Sequence, residues 1–168
     1  MKYFIGIALM ALTFITGFWV GGKYASPELP NQGVLISNGP DLEEVQEITS
    51  EYVRTHLAAN FEECAALYAE NAVYMIPERP SLIGRKEIKA YLEKSFTSRG
   101  DVKILEMKEP AEETVFFGEY AAVRGTGYSD ILNADSTITK STYKWIVLAH
   151  KNPEGSWEID WDIYNMTK

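Results

Sequence analysis

One cysteine, two histidines and a shortage of basic residues exclude several chemistries before any pattern is considered. The single cysteine, Cys64, rules out an intramolecular disulfide, and 168 residues with 46% hydrophobic content can bury a core that needs no covalent staple. Cys64 falls on the apolar side of a short helical pattern, where a small buried hydrophobe is expected rather than a nucleophile. With so few nitrogen and sulfur ligands, and no ligand spacing among the carboxylates, neither a metal nor a cofactor is expected. Basic residues number 16 against 24 acidic ones, and with Lys2 and Lys23 set aside everything after Ser26 carries a net charge of −10. Such a surface repels phosphate backbones, so nucleic acid is not expected as a partner.

The chain does have one long apolar run. Tyr3 to Val20 comes directly after Lys2, contains no charge, and ends at Trp19 and a Gly21-Gly22 pair. Eighteen such residues exceed a secretory core of about 7 to 15 and approach the roughly 20 that span a bilayer. Residues 1–22 are therefore expected to be a signal peptide or a signal anchor. Lys2 and the amino terminus, set against a lone Lys23, favour a cytoplasmic N-terminus and export of the remaining chain. That remainder is then periplasmic or extracellular, or held at the membrane by residues 3–20, with no other membrane contact. Residues 23–40, rich in proline and glycine towards both ends, read as an extended linker.

Residues 41–168 read as one domain. Asp41 with Glu44 three residues on, and Asn60 with Glu63, each have the spacing of a capping box and predict two helix starts. The first helix places Leu42, Val45, Ile48, Tyr52, Val53, His56 and Leu57 on one face at 3.6-residue spacing. The second is short and buries Phe61, Cys64, Ala65 and Tyr68; Ala72 to Ile76 then reads as a strand that Pro77 ends. Gly84 opens a third helix, with Ile88, Tyr91, Leu92, Ser95 and Phe96 turned to the core.

From Val102 onward the pattern alternates as antiparallel sheet does. Strands are predicted over 102–107, 114–117, 120–132, 137–150 and 156–166, with Pro110 at a strand end or bulge and Asn152-Pro153-Glu154-Gly155 as a hairpin turn. Gly118, Gly125 and Gly127 stand where a sheet must bend or a backbone must approach closely. Three helices succeeded by curved strands suggest a cone-shaped α+β domain around a pocket.

The run Tyr52 to Tyr74 with its Leu67-Tyr68-Ala69-Glu70-Asn71-Ala72-Val73 centre, then Ile83-Gly84-Arg85-Lys86-Glu87-Ile88, Gly155-Ser156-Trp157-Glu158-Ile159 and Asp162-Ile163-Tyr164-Asn165 carry a resemblance. They resemble the SnoaL-like and DUF4440 branch of the nuclear transport factor 2-like superfamily, from Asp41 to the C-terminus. The resemblance implies a cone of three N-terminal helices packed on a curved mixed or antiparallel sheet. It implies little about activity, since that fold hosts isomerases, cyclases, dehydratases, carriers and assembly domains. Compared with ketosteroid isomerase, Tyr52 falls where that family keeps a donor tyrosine. Ile76, before Pro77, stands where the family has its aspartate base, and the second donor position, near Tyr143 to Trp145, offers no aspartate. Steroid isomerisation is therefore not supported.

The pocket walls expected from periodicity are Tyr52 and His56 one turn apart on the first helix, Tyr74 and Ile76 on the strand beneath, Tyr143, Trp145 and Val147 on the next-to-last strand, and Trp161 and Ile163 opposite. Both Tyr52 and His56 also suit a core role with satisfied hydrogen bonds. Strand parity puts Asp160 and Asp162 on the face opposite Trp161, which reads as solvated surface. Three functions compete: a non-catalytic domain binding a small hydrophobic or aromatic molecule, a lyase or isomerase using Tyr52 and His56, and a dimeric assembly domain. The outer sheet face, with Thr126, Tyr128, Ile146 and Leu148 among charges, makes a homodimer the expected assembly.

Overall fold

A computed structural model describes residues 34–35 and 38–167. The chain divides into two units, Met1–Pro30 and Asn31–Lys168, and all described residues belong to the second. The signal or anchor segment and most of the expected linker lie outside the described residues. The end of that linker is structured, however. Val34–Leu35 forms β1, which pairs antiparallel with β5 (Ala111–Phe117), Val34 opposite Phe116 and Leu35 opposite Val115.

Helix α1 runs Pro40–Leu57, starting one residue before the expected cap. Gly39, at φ 123°, takes the cap position, and Pro40 opens the helix at a place where its missing N–H costs nothing. Asp41 caps nothing; its carboxylate instead meets Lys151 Nζ at 2.7 Å. The second cap forms as expected, with Asn60 accepting from the Glu63 amide ahead of α2 (Phe61–Ala66). Tyr68 lies beyond that helix and opens β2 (Tyr68–Met75), drawn into the sheet by parallel pairing with Ile159. After β3 (Leu82–Ile83), Gly84 at φ 91° caps α3 (Arg85–Thr97). Ile88 and Leu92 are buried there, whereas Phe96, one turn beyond Leu92, is 42% exposed.

Strands β4 (Lys103–Lys108), β5, β6 (Tyr120–Leu132), β7 (Ile138–Lys151) and β8 (Trp157–Met166) complete the sheet, in the order β1-β5-β6-β7-β8-β2-β3 with β4 also on β6. The first half of β6 pairs with β5 and its second half with β4. Glu109 and Pro110 stand between β4 and β5, where the proline has no N–H to donate to the ladder. The sheet is mixed, since β2 and β8 run parallel. Its inner face takes the helices, and along β6 and β7 Ala121, Val123, Tyr143, Trp145, Val147 and Ala149 are buried there.

Strand β8 contains a bulge. Its pairing with β7 steps from Leu148–Trp161 to Ala149–Ile159, leaving Asp160 as the extra residue. Side chains before and after the bulge are therefore out of phase. Trp157 and Ile159 point inward, but so does Asp162, while Trp161 is 55% exposed on the outer face. That outer face also carries a row of directly paired apolar residues, Ile83, Val73, Trp161, Leu148, Ala122 and Val115, crossing six strands. Ile146 and Ile163 pair in the next row.

Candidate functional site

Between the helices and the inner face of the sheet lies a cavity of about 320 Å³. Thr49, Tyr52 and His56 from α1 meet Tyr91, Leu92 and Ser95 from α3, Tyr74 from β2, and Tyr143, Trp145 and Val147 from β7 around it. The size suits a drug-sized or smaller molecule, and the lining is mostly aromatic and aliphatic with a few polar groups.

The structure brings six of the expected wall residues together: Tyr52, His56, Tyr74, Tyr143, Trp145 and Val147. Ile76 is buried in the core but does not reach the cavity. Trp161 and Ile163 are misplaced by the sequence reading, because simple alternation takes no account of the bulge at Asp160. The same phase shift hides Asp162, which lines the cavity instead of facing solvent. Tyr164 lines it in the same phase as Asp162, and Glu109 and Arg99 line it from outside the regular elements, where they carry no periodic signal. For Glu109 the one available clue is the adjoining Pro110, which breaks the ladder and frees the preceding side chain to turn inward.

Local geometry explains how these groups are held. Gly127 is paired with Tyr143, and a Cβ there would strike the Tyr143 ring. The absent side chain lets that ring lie flat against the strand, with its hydroxyl donating to Glu109 Oε1 at 2.8 Å. Tyr68 Oη donates to Asp162 Oδ2 at 2.6 Å, and Tyr52 and Tyr74 hydroxyls stand 3.5 Å apart. The Tyr52 ring stacks on His56 with centroids 5.6 Å apart. Tyr74 in turn packs against Tyr68, Tyr91 and Tyr164.

Burial sets the protonation states. It pushes Asp162 up to about 6 against the lowering effect of the Tyr68 hydroxyl. It pushes Glu109 up to about 8, opposed by the Tyr143 hydrogen bond and assisted by the charge of Asp162. His56 is driven down to about 4, first by burial and then by the Arg99 guanidinium beside it. Tyr52, Tyr68 and Tyr74 are raised well above the ordinary phenol value by burial. At neutral pH the wall thus holds a protonated Glu109, an ionised Asp162, a neutral imidazole and protonated phenols. Because arginine can only donate, the 3.5 Å approach of Arg99 Nη2 to His56 Nε2 assigns the imidazole proton to Nδ1, which is buried without a partner. Trp145 Nε1 is likewise a buried donor with no partner.

Among the described residues no three His, Cys, Asp or Glu side chains gather as metal ligands. Cys64 is buried, with its thiol pushed up to about 11 by burial, and so has little thiolate character.

No family model matches the chain, and no curated protein matches it. Solved structures do. A ketosteroid isomerase-like protein from Erwinia carotovora atroseptica is 22% identical, covering 78% of this chain and 99% of its own, at a TM-score of 0.67. A nuclear transport factor 2-like protein with a cystatin-like fold from Novosphingobium aromaticivorans is 16% identical over 76% of this chain and 82% of its own, at 0.61. A Catenulispora acidiphila protein in complex with S-DNPA is 16% identical over 74% and 92%, also at 0.61. The chain has the nuclear transport factor 2-like cone fold. These likenesses reach the fold and do not single out the SnoaL-like or DUF4440 branch.

Proposed function

We propose that this cone-fold domain binds a small apolar molecule, planar or aromatic, in the cavity between its helices and sheet. The observation that carries the reading is the cavity itself: about 320 Å³, with Tyr52, Tyr74, Tyr91, Tyr143, Trp145 and Tyr164 among its walls. Apolar walls supply the affinity, and the few polar groups orient the guest. Mass spectrometry of small molecules released on denaturing the purified full chain tests this. A stoichiometric apolar compound supports binding, and its loss in a Val147→Trp variant, whose added bulk fills the space, ties it to the cavity. Retention undiminished in that variant would count against the cavity as its site.

A second reading, proton transfer of the lyase or isomerase type, is favoured by the two cavity carboxyls. Glu109 and Asp162 carry a proton up to about 8 and about 6, so acid and base coexist at neutral pH. His56 is a poor base for this role, since it holds no proton above about pH 4. The catalytic version of the proposal therefore rests on the carboxyls rather than on Tyr52 and His56.

We also propose that the domain is exported, by virtue of the uncharged run behind Lys2, and that two copies pair through the outer sheet face. The row from Ile83 to Val115 supports pairing, with Ile83 67% and Trp161 55% exposed on it. Light scattering is expected to give a dimer well above micromolar concentration, and Trp161→Arg to give a folded monomer whose melting temperature, unlike that of wild type, does not rise with protein concentration. A wild-type monomer at such concentrations would remove the pairing.

A further inference from the structure

Of the five arginines in the chain, three spend their charge on the surface: Arg54 pairs with Glu51 and Glu63, Arg85 with Glu70 and Glu158, and Arg124 with Glu112 and Glu113. The other two have no carboxylate partner within 4 Å among the described residues, and one of them belongs to the wall of the cavity. Arg99, two residues past the end of α3, lines it. Arg79 lies over the ring of Tyr91, another wall residue, at 4.9 Å. In a chain with eight more acidic than basic residues, an unpaired guanidinium in the cavity wall, with a second over a wall tyrosine, is an informative exception.

Arg99 has donors to spare. Its side-chain contacts are with His56 Nε2 and Ser95 Oγ, both at 3.5 Å, at the outer limit of a hydrogen bond. A guanidinium has five N–H donors in a planar fork that matches a carboxylate. The two cavity carboxyls do not supply the match, since Glu109 is bonded to Tyr143 and Asp162 to Tyr68. The ring of His56 beside Arg99 accepts through Nε2 and adds no competing negative charge.

Resting on the binding reading above, we infer that the molecule taken by this cavity is an apolar carboxylate, its aromatic or aliphatic body among the tyrosines and Trp145 and its anionic end on Arg99. Arg79 adds a second positive charge next to Tyr91, which draws such an anion towards a protein whose overall charge would otherwise repel it.

The test compares 2-naphthoic acid, ionised at pH 7.5, with the neutral isostere 2-naphthamide, by titration calorimetry on the full-length chain in lipid nanodiscs with empty discs as control. The wild type is expected to bind the acid at least about tenfold more tightly than the amide, as a charge-assisted bidentate pair should. Arg99→Gln should bring the two affinities to within about twofold by weakening the acid alone, and Arg99→Lys should keep part of the preference. Equal wild-type affinities, or a preference that survives Arg99→Gln, would overturn the anion assignment and leave the binding cavity standing. Binding of neither compound would overturn the cavity reading and this inference together. If the glutamine variant melts before it can be titrated, the wild-type ratio still decides.

Discussion

Between about pH 6.5 and 8 the native chain should lose on the order of 2 kcal/mol of stability, and Glu109→Gln should abolish that loss. The folded value of Glu109, about 8, lies above its ordinary 4.5. The stability it confers is therefore whole below about pH 4.5 and is lost as pH rises towards 8, because the unfolded chain gives up the proton first. Asp162 acts in the same direction between 3.8 and about 6. His56 acts oppositely: its value falls from 6.5 to about 4, so it adds stability as pH rises through that window. Asp162 and His56 thus nearly offset each other in mildly acidic solution. Above about pH 6.5 the remaining titrations of folded Asp162 and unfolded His56 still oppose each other and fade by about pH 7.5, so Glu109 dominates the slope, at most about 1.4 kcal/mol per pH unit. The amide oxygen of the Glu109→Gln variant would still accept from Tyr143, so the variant should fold and show a flat profile. Melting curves at about pH 6.5 and about pH 8.5, on either side of this titration, measure it. A native profile already flat there would mean that Glu109 is ionised in the cavity wall.

The second large effect is expected at Gly125. Replacing a strand glycine by alanine ordinarily stabilises, by limiting the unfolded chain. Here a Cβ would collide with the Pro110 carbonyl oxygen and would lie 2.7 Å from Trp145 Cζ2. The first neighbour is backbone at the β4–β5 break and cannot rotate aside. Gly125→Ala should therefore cost about 3 kcal/mol, at the upper end of the range for overpacking. Gly127→Ala should cost less, because the atoms its Cβ would strike belong to the Tyr143 ring, which can swing into the cavity. Urea unfolding of the two variants checks the order. Equal stability of Gly125→Ala and wild type would mean that β5 and β6 are not held this closely.

Those glycines also show what periodicity can and cannot reveal. The bounds of β6, β7 and β8 are legible in the sequence to within a residue or so, since each is a stretch of ten or more residues of strand-type pattern set off by turn signals. The inward set of β7, Tyr143, Trp145 and Val147, comes directly from alternation. Strand β8 breaks the rule through one extra residue. Asp160 shifts the phase, so Trp161 faces outward and Asp162 inward, and flanking apolar residues give Asp162 no distinguishing mark. Glu109 and Arg99 lie outside regular elements, where no period assigns a face. The cap at Asp41 fails for a local reason, as Pro40 begins the helix first and Lys151 takes the carboxylate. Most of the cavity's polar chemistry is therefore invisible to periodicity, while the apolar frame around it is plain.

The central claim is that the cavity, and not the exposed face of the sheet, receives the guest. The indole N–H signals of ¹⁵N-labelled protein separate the two directly, because Trp145 lines the cavity, Trp157 is buried away from it and Trp161 lies on the outer face. Titration with 2-naphthoic acid should shift the Trp145 signal, leaving those of Trp157 and Trp161 unchanged. A shift of Trp161 with Trp145 unmoved would place the guest on the outer face and contradict the account.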